Sequence, residues 1–439
     1  MKRIAFILVV WLLVFCTTAL AQEQVATASL DHLIEVALEN NYLLRAAENR
    51  IAANEADIKF IRKNFLPEAD ISVNASYWKW LMPNKQKLLG SQLSDVYAEL
   101  ALKQMLFDGG KNRSQTEIAR FAVLGSQEAR RSLRQAIIYN VAYSWLELHK
   151  ADQTIRIHQN ALEQLNNHLA NSQALYRIGK VSTVDILKVK VQIAAEKKAI
   201  TAAESLLEQK QIQFNEWLGT DEFPFRRGDP AARTLWDRWQ HAEFSPRSLL
   251  EQALKEHPDL KQSDWKIAAK QKEKSLYQAE RLPNVSAFGL FNWEDNYLPF
   301  GNHFNYNFGI GVSYRIPLFK GSAYQDKILA SRLAAQELEN EKKQQIQGLS
   351  AAFAEVISEL ANKKIEVSAN EEIMALSRET LDNSLLRYNA GQGDIIDVLD
   401  ARSILTQAED NRQKSALEYL QQIAKVNYLS GRGLNPFTE

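Results

Sequence analysis

Two halves of this chain repeat each other at a fixed distance. Leu106-Phe107-Asp108-Gly109 returns as Leu318-Phe319-Lys320-Gly321, and Tyr176-Arg177-Ile178-Gly179 returns as Tyr388-Asn389-Ala390-Gly391, each 212 residues later. Trp217-Leu218 closes the first block and Tyr428-Leu429 the second, 211 residues on. The openings keep an offset of 216: Leu33, Glu35, Ala37 and Leu38 match Leu249, Glu251, Ala253 and Leu254, and Leu66-Pro67 matches Leu282-Pro283. One loop between the Leu-Pro and Leu-Phe landmarks therefore differs in length. Solenoid repeats have periods of roughly 20–50 residues, so this is not one of them. The chain is expected to build one structural element twice, over 22–219 and 247–431, with a joining segment at 220–246 and a tail at 432–439.

Residues 1–21 read as a signal peptide. Lys2 and Arg3 form the positive region, Ile4 to Cys16 the apolar run, and Ala19-Leu20-Ala21 the cleavage site. An uncleaved anchor is disfavoured, because the run is shorter than the ~20 residues a span needs. Lipid attachment at Cys16 is disfavoured by the bulky Phe15 before it. Cys16 is the only cysteine, so the mature chain is expected to lack disulfides and Cys-based metal sites. The 53 basic and 53 acidic residues balance and give no support for a nucleic-acid surface. No later stretch approaches 18 apolar residues, so any membrane crossing would have to be a closed β-barrel.

Periodicity divides each copy the same way. Ser29 to Phe65 reads as one helix, capped by Ser29 and stopped by Leu66-Pro67. Two strand-like stretches follow, within 69–107: Ile71, Val73, Ala75 and Tyr77, then, after a polar loop around Pro83 to Asp95, Val96, Ala98, Leu100 and Leu102. The second copy's strand pair lies within 284–318. There Tyr306, Phe308, Ile310, Val312 and Tyr314 alternate with Asn305, Asn307, Gly309, Gly311 and Ser313. About ten residues with one apolar face and aromatics near the ends fit an outer-membrane strand. A half-buried soluble strand shows the same alternation; the signal peptide favours the membrane. Single-chain barrels start at about eight strands, so four per chain would close only with several chains.

The remainder reads as helix. Asn112 to Ile178 contains no proline and spans roughly 100 Å at 1.5 Å per residue. Gly179 stops it, Ser182-Thr183-Val184-Asp185 is a capping box, and a return helix of half that length runs to Leu218. The second copy repeats this with a helix from Tyr324 to Ala390, Gly391 as the stop, Asp394 as N-cap and a return helix to Ser430. The second opening helix is expected over Ser248 to Leu282. These lengths suggest that a half-length helix of one copy stacks end to end on a half-length helix of the other. The connector at 219–246, rich in Trp, Pro and Gly, would form an irregular collar.

The segment Tyr388-Asn389-Ala390-Gly391-Gln392-Gly393-Asp394-Ile395-Ile396-Asp397-Val398-Leu399-Asp400-Ala401 resembles the TolC family of outer membrane efflux proteins. So do the Leu-Pro entry to the first strand and the Leu-Phe-x-Gly exit from the second, and the likeness covers essentially the mature chain. The resemblance implies a mainly α protein with a small β part: a homotrimer whose long antiparallel helices form a periplasmic α-helical barrel. Four strands from each of three chains would make a 12-stranded barrel in outer-membrane lipid. It implies a periplasmic adaptor (membrane fusion protein) and an inner-membrane RND, ABC or MFS transporter as partners, in tripartite efflux or type I secretion of small molecules or proteins. Asp397 and Asp400 map onto an aspartate pair at the closed periplasmic tip, with Tyr388 as a hydrogen-bonding brace. Gly179 and Gly391 would be adaptor-docking turns, with Arg177, Lys180 and Arg387 beside them. The family often carries a basic residue near Gly393, which cannot supply that lock here.

Rival readings fit less of the chain. The seven histidines are dispersed and no H-E-x-x-H spacing, G-x-S-x-G elbow or phosphate loop occurs, so no enzyme, cofactor or metal site is expected. His149 and His158, nine residues apart on one helix, read as surface residues. A periplasmic coiled-coil adaptor or scaffold would explain the helices and the export signal, but not the strands.

Overall fold

The structure, a computed structural model, describes residues 29–77, 94–221, 225–241, 244–295, 304–319, 322–431 and 436–437. The expected signal peptide with Cys16, most of the Pro83 loop, Pro224, His303, Lys320-Gly321 and most of the tail lie outside them. In chain order the elements are α1 (Leu30–Asn40), α2 (Tyr42–Lys63), β1 (Glu68–Tyr77), β2 (Ser94–Phe107), α3 (Lys111–Arg177), α4 (Thr183–Leu218), α5 (Ala231–Trp239), α6 (Pro246–Glu256), α7 (Pro258–Ala279), β3 (Asn284–Asp295), β4 (Phe304–Arg315), α8 (Ala323–Asn389) and α9 (Ile395–Leu429). No described helix is long and apolar enough to cross a membrane.

α3 and α8 are each 67 residues long, and α4 and α9 are 36 and 35, as the periodicity predicts. The opening helices are not continuous. α1 ends at Asn41, which turns to φ −69°, ψ 116°, and the Asn41 side chain accepts the N–H groups of Leu43 and Leu44 to start α2. In the second copy His257 breaks the run at φ −60°, ψ 127°, because Pro258 disfavours helical backbone in the residue before it. The two breaks are 216 residues apart, so the duplication includes them. The second opening also begins earlier than expected, with Pro246 in the first turn of α6, where a missing N–H is harmless.

The chain divides into two compact units: 1–44, 131–257 and 348–439 in one, 45–130 and 258–347 in the other. The first unit holds the main core. Leu33 and Ala37 of α1, Ile137, Val141 and Leu148 of α3, Phe214 of α4, Phe353 of α8 and Tyr419, Leu420 and Ile423 of α9 pack together. The connector joins this core: Trp236 meets Tyr419 edge-on at 5.7 Å, and Gly228 N–H and Arg227 both bond the buried Asp152 carboxylate. The end-to-end stacking differs from expectation. A Cβ on Gly219, at the end of α4, would lie 3.0 Å from Asn40 O, and one on Gly431, past α9, 3.4 Å from His257 Cα. Each return helix thus meets the break in its own copy's opening helix, not the other copy's helix. His149 is also no surface residue: it is 1% exposed, between Trp145 at 4.2 Å and Phe225 at 5.1 Å. His158 is half-buried against Glu196 at 2.7 Å.

The second unit carries one antiparallel sheet in the order β1-β2-β3-β4. The strand pairs of the two copies are joined through β2 and β3, with a register shift between Met105 and Phe107. The exit landmark has a local cause. Asp108 accepts Gly110 and Asn112 N–H groups at 2.9 and 2.6 Å and opens α3. Gly109 sits at φ +69°, where a Cβ would lie 2.7 Å from Leu282 Cβ.

Candidate functional site

The two tight turns lie in the first unit. At the end of α3, Gly179 N–H bonds Tyr176 C=O at 2.9 Å and Lys180 N–H bonds Leu175 C=O at 3.0 Å, the paired closure of a Schellman cap. At the end of α8, Gly391 N–H bonds Tyr388 C=O at 3.0 Å and Gln392 N–H bonds Arg387 C=O at 2.9 Å. Gly179 and Gly391 have φ of +74° and +72°, and a Cβ on either would meet nothing within 4 Å. Left-handed backbone, not crowding, selects glycine there. Arg177, Lys180 and Arg387 are exposed beside these turns.

The helix starts after the turns differ. Ser182 Oγ accepts Asp185 N–H at 3.2 Å, and the Asp185 carboxylate accepts the Ser182 N–H at 2.9 Å and its hydroxyl at 2.8 Å. The Ser182 backbone N–H, with lesser help from its hydroxyl and Lys188, holds the Asp185 carboxyl below its usual range. In the second copy Asp394 alone caps, accepting Ile396 N–H at 3.0 Å. Asp397, the counterpart of Asp185, is released from capping. It and Asp400 are exposed on one face of α9, while Val398 and Leu399 between them are buried. Neither carboxylate has a hydrogen-bond or ion-pair partner among the described residues. Lys188, the counterpart of Asp400, sits 4.0 Å from Asp185.

Tyr388 is the last residue but one of α8. Its ring packs against two apolar clusters, one of Leu165, Val189, Ile193, Ile395 and Leu399, the other of Leu381, Val398 and Ala401. Its hydroxyl is buried without a hydrogen-bond partner among the described residues. Gly393 is crowded: a Cβ would lie 3.1 Å from Tyr388 N and 3.2 Å from Arg387 Cβ. The tie to α3 is made instead by Arg402, which bonds Gln164, and by His168, whose ring lies 5.5 Å from that of Tyr388. Sequence reading missed these residues. One signal existed: Arg402 interrupts the apolar stripe Ile395, Val398, Leu405 of α9.

The sheet of the second unit has one continuous apolar face. Tyr306, Phe308, Ile310, Val312 and Tyr314 are 74%, 75%, 88%, 67% and 63% exposed in the single chain. The register sets them opposite Trp293, Phe291, Gly289, Ala287 and Val285 of β3. Leu100 and Leu102 of β2 and Ile71 and Ala69 of β1 extend the same face. The other face carries Ser72, Asn74, Glu99, Lys103, Asn292, Asn307 and Ser313.

Known proteins match this arrangement. The family described as Outer membrane efflux protein matches residues 33–220 and again 249–432, with starts 216 residues apart as in the duplication. The chain is similar to the outer membrane efflux protein BepC of Brucella suis, 20% identical over 392 residues, covering 88% of this chain and 82% of that protein. It is 22% identical over 422 residues to the outer membrane protein TolC of Escherichia coli, covering 90% and 80%. Among solved structures, VceC from Vibrio cholerae superposes with a TM-score of 0.73 at 15% identity, over 92% of this chain and 96% of that one. The open state of the Neisseria gonorrhoeae MtrE channel gives 0.73 at 18% identity, over 93% and 90%. Two matches of one family, spanning most of both repeats, place the chain in the outer membrane efflux protein family.

Proposed function

We propose that this outer membrane efflux protein works as a homotrimeric channel-tunnel, with its sheet closed into a 12-stranded barrel and its helices in the periplasm. The observation that carries the trimer is the state of the sheet edges. β1 and β4, 10 and 12 residues long, have no outer neighbour among the described residues. Lipid tolerates no open edge, and three copies of four strands exceed the barrel minimum of about eight. The six exposed carboxylates of Asp397 and Asp400 would then ring one axis and favour cations. The Gly179 and Gly391 turns, with Arg177 and Lys180, would receive a periplasmic adaptor that links the channel to an inner-membrane transporter. Relatives of similar identity are named for pyoverdine export, antibiotic efflux and toluene efflux. That spread supports a shared conduit whose cargo, small molecule or protein, is chosen by an RND, ABC or MFS transporter. The scaffold alternative is not favoured.

The test is a cysteine pair across the edges: Asn74→Cys on β1, with single cysteines stepped along β4 at Asn307, Gly309 and Ser313. Oxidation is expected to give a covalent ladder that stops at three chains. Monomers throughout the scan, or an open-ended ladder, would refute the closed trimer.

A further inference from the structure

Arg402 carries a buried charge with no counter-charge. It is 8% exposed, and its one polar partner among the described residues is the neutral side-chain oxygen of Gln164. Gln164, His168 and Ser172 follow one another at four-residue steps, on one face of α3. His168 is 9% and Ser172 0% exposed. His168 Nε2, Ser172 Oγ and the Tyr388 hydroxyl are all buried without hydrogen-bond partners. Gln164, the partner of Arg402, lies one turn before His168 on α3, and burial chiefly, with the Arg402 charge after it, pushes the His168 pKa down. A guanidinium can only donate, and hydroxyl and imidazole N–H groups can donate too. The group therefore has donors in excess and a positive charge that burial makes costly.

The geometry points to a small monovalent anion, of chloride size, held by Arg402 with His168 and Tyr388 and bridging α3, α8 and α9. A carboxylate from an adaptor or a second copy is the poorer occupant, since the chain's own atoms already cover Arg402. Leu165, Leu399 and the partly buried Leu162 and Leu169 flank the group. Such walls disfavour a divalent oxyanion, whose desolvation penalty rises with the square of its charge. The site belongs to the second copy alone: the counterpart of Arg402 is Lys190, which is exposed. Its existence is independent of the gating role of Asp397 and Asp400.

Crystals of the full chain grown or soaked in bromide test it directly. An anomalous peak is expected at Arg402 and is expected to vanish in Arg402→Gln. A site holding water alone in wild type would overturn the inference. In detergent, the melting midpoint is expected to rise saturably with sodium bromide against sodium gluconate at equal ionic strength. Tyr388→Phe keeps the ring and removes one donor, and is expected to weaken half-saturation roughly tenfold. It also serves where Arg402→Gln does not fold. Equal melting in the two salts would overturn the inference, as would a Tyr388→Phe half-saturation equal to wild type.

Discussion

A lysine at Ile310 tests the lipid-facing side of the sheet. Ile310 is the seventh of the twelve residues of β4 and is 88% exposed. Across the ladder it faces Gly289, and along its own face it has Phe308 and Val312. None of these offers a lysine a counter-charge. In hydrocarbon near mid-membrane the substitution is expected to cost about 2–4 kcal/mol per chain. That is roughly a 30- to 1,000-fold loss in the folded, inserted population, incurred three times per trimer. Asn307→Lys is the matched control, because Asn307 is exposed on the opposite face of the same strand. A surface change of that kind is expected to stay within about 0.5 kcal/mol. The assay is the yield of trimer in the outer-membrane fraction, with urea titration of the purified protein. Ile310→Lys assembling as well as Asn307→Lys would refute the face assignment and with it the barrel.

Other outcomes follow from the turns. Asp397→Asn with Asp400→Asn is expected to leave the melting midpoint unchanged, because neither carboxylate has a partner among the described residues, while cation preference in planar bilayers falls. Ser182→Ala is expected to do the reverse, costing about 0.5–2 kcal/mol by removing the N-cap of α4 with selectivity intact; differential scanning calorimetry and reversal potentials separate the two. Gly391→Ala is expected to cost about 1 kcal/mol through backbone strain alone, since the space around it is open. A denaturant midpoint equal to wild type would contradict that.

What the sequence made visible was local, and what it hid was distant. Proline-free runs and glycine stops placed both 67-residue helices within a residue or so, because helix ends are decided by neighbours within a turn. Strand faces were visible because side chains alternate with period two. The break at Asn41 was hidden, since asparagine inside a periodic run carries no strong stop signal. Its counterpart at His257 could have been read from Pro258 and carried back through the 216-residue offset. Arg402 and Gln164 lie 238 residues apart, so no spacing rule connects them. The opposite uses of acids in the two copies are local instead: Asp185 is locked into the Ser182 capping box, whereas Asp397 has no partner among the described residues.

Two of the three histidines on α3, His149 and His158, are expected to give stability opposite pH dependences. Burial against Trp145 and Phe225 pushes His149 down to about 4, although Asp229 and Asp152 pull it upward. An unfolded histidine titrates near 6.5. Between those values the unfolded chain binds the proton and the folded one does not, so acidification from pH 6.5 to 4 removes about 3 kcal/mol. His158 is shifted the other way, first by its hydrogen bond to Glu196, with further help from the charges of Glu196 and Asp410 and opposition from burial and Lys414. Its ion pair contributes fully below pH 6.5 and fades as pH rises through the raised value. His149→Phe keeps an aromatic ring between two others and is expected to flatten the acid limb of the melting profile. His158→Gln is expected to leave that limb intact and lower stability chiefly on the acid side of neutrality, where the pair is formed. A wild-type slope in His149→Phe between pH 6.5 and 4 would mean that the buried ring does not resist its proton, and that acid acts elsewhere in the chain.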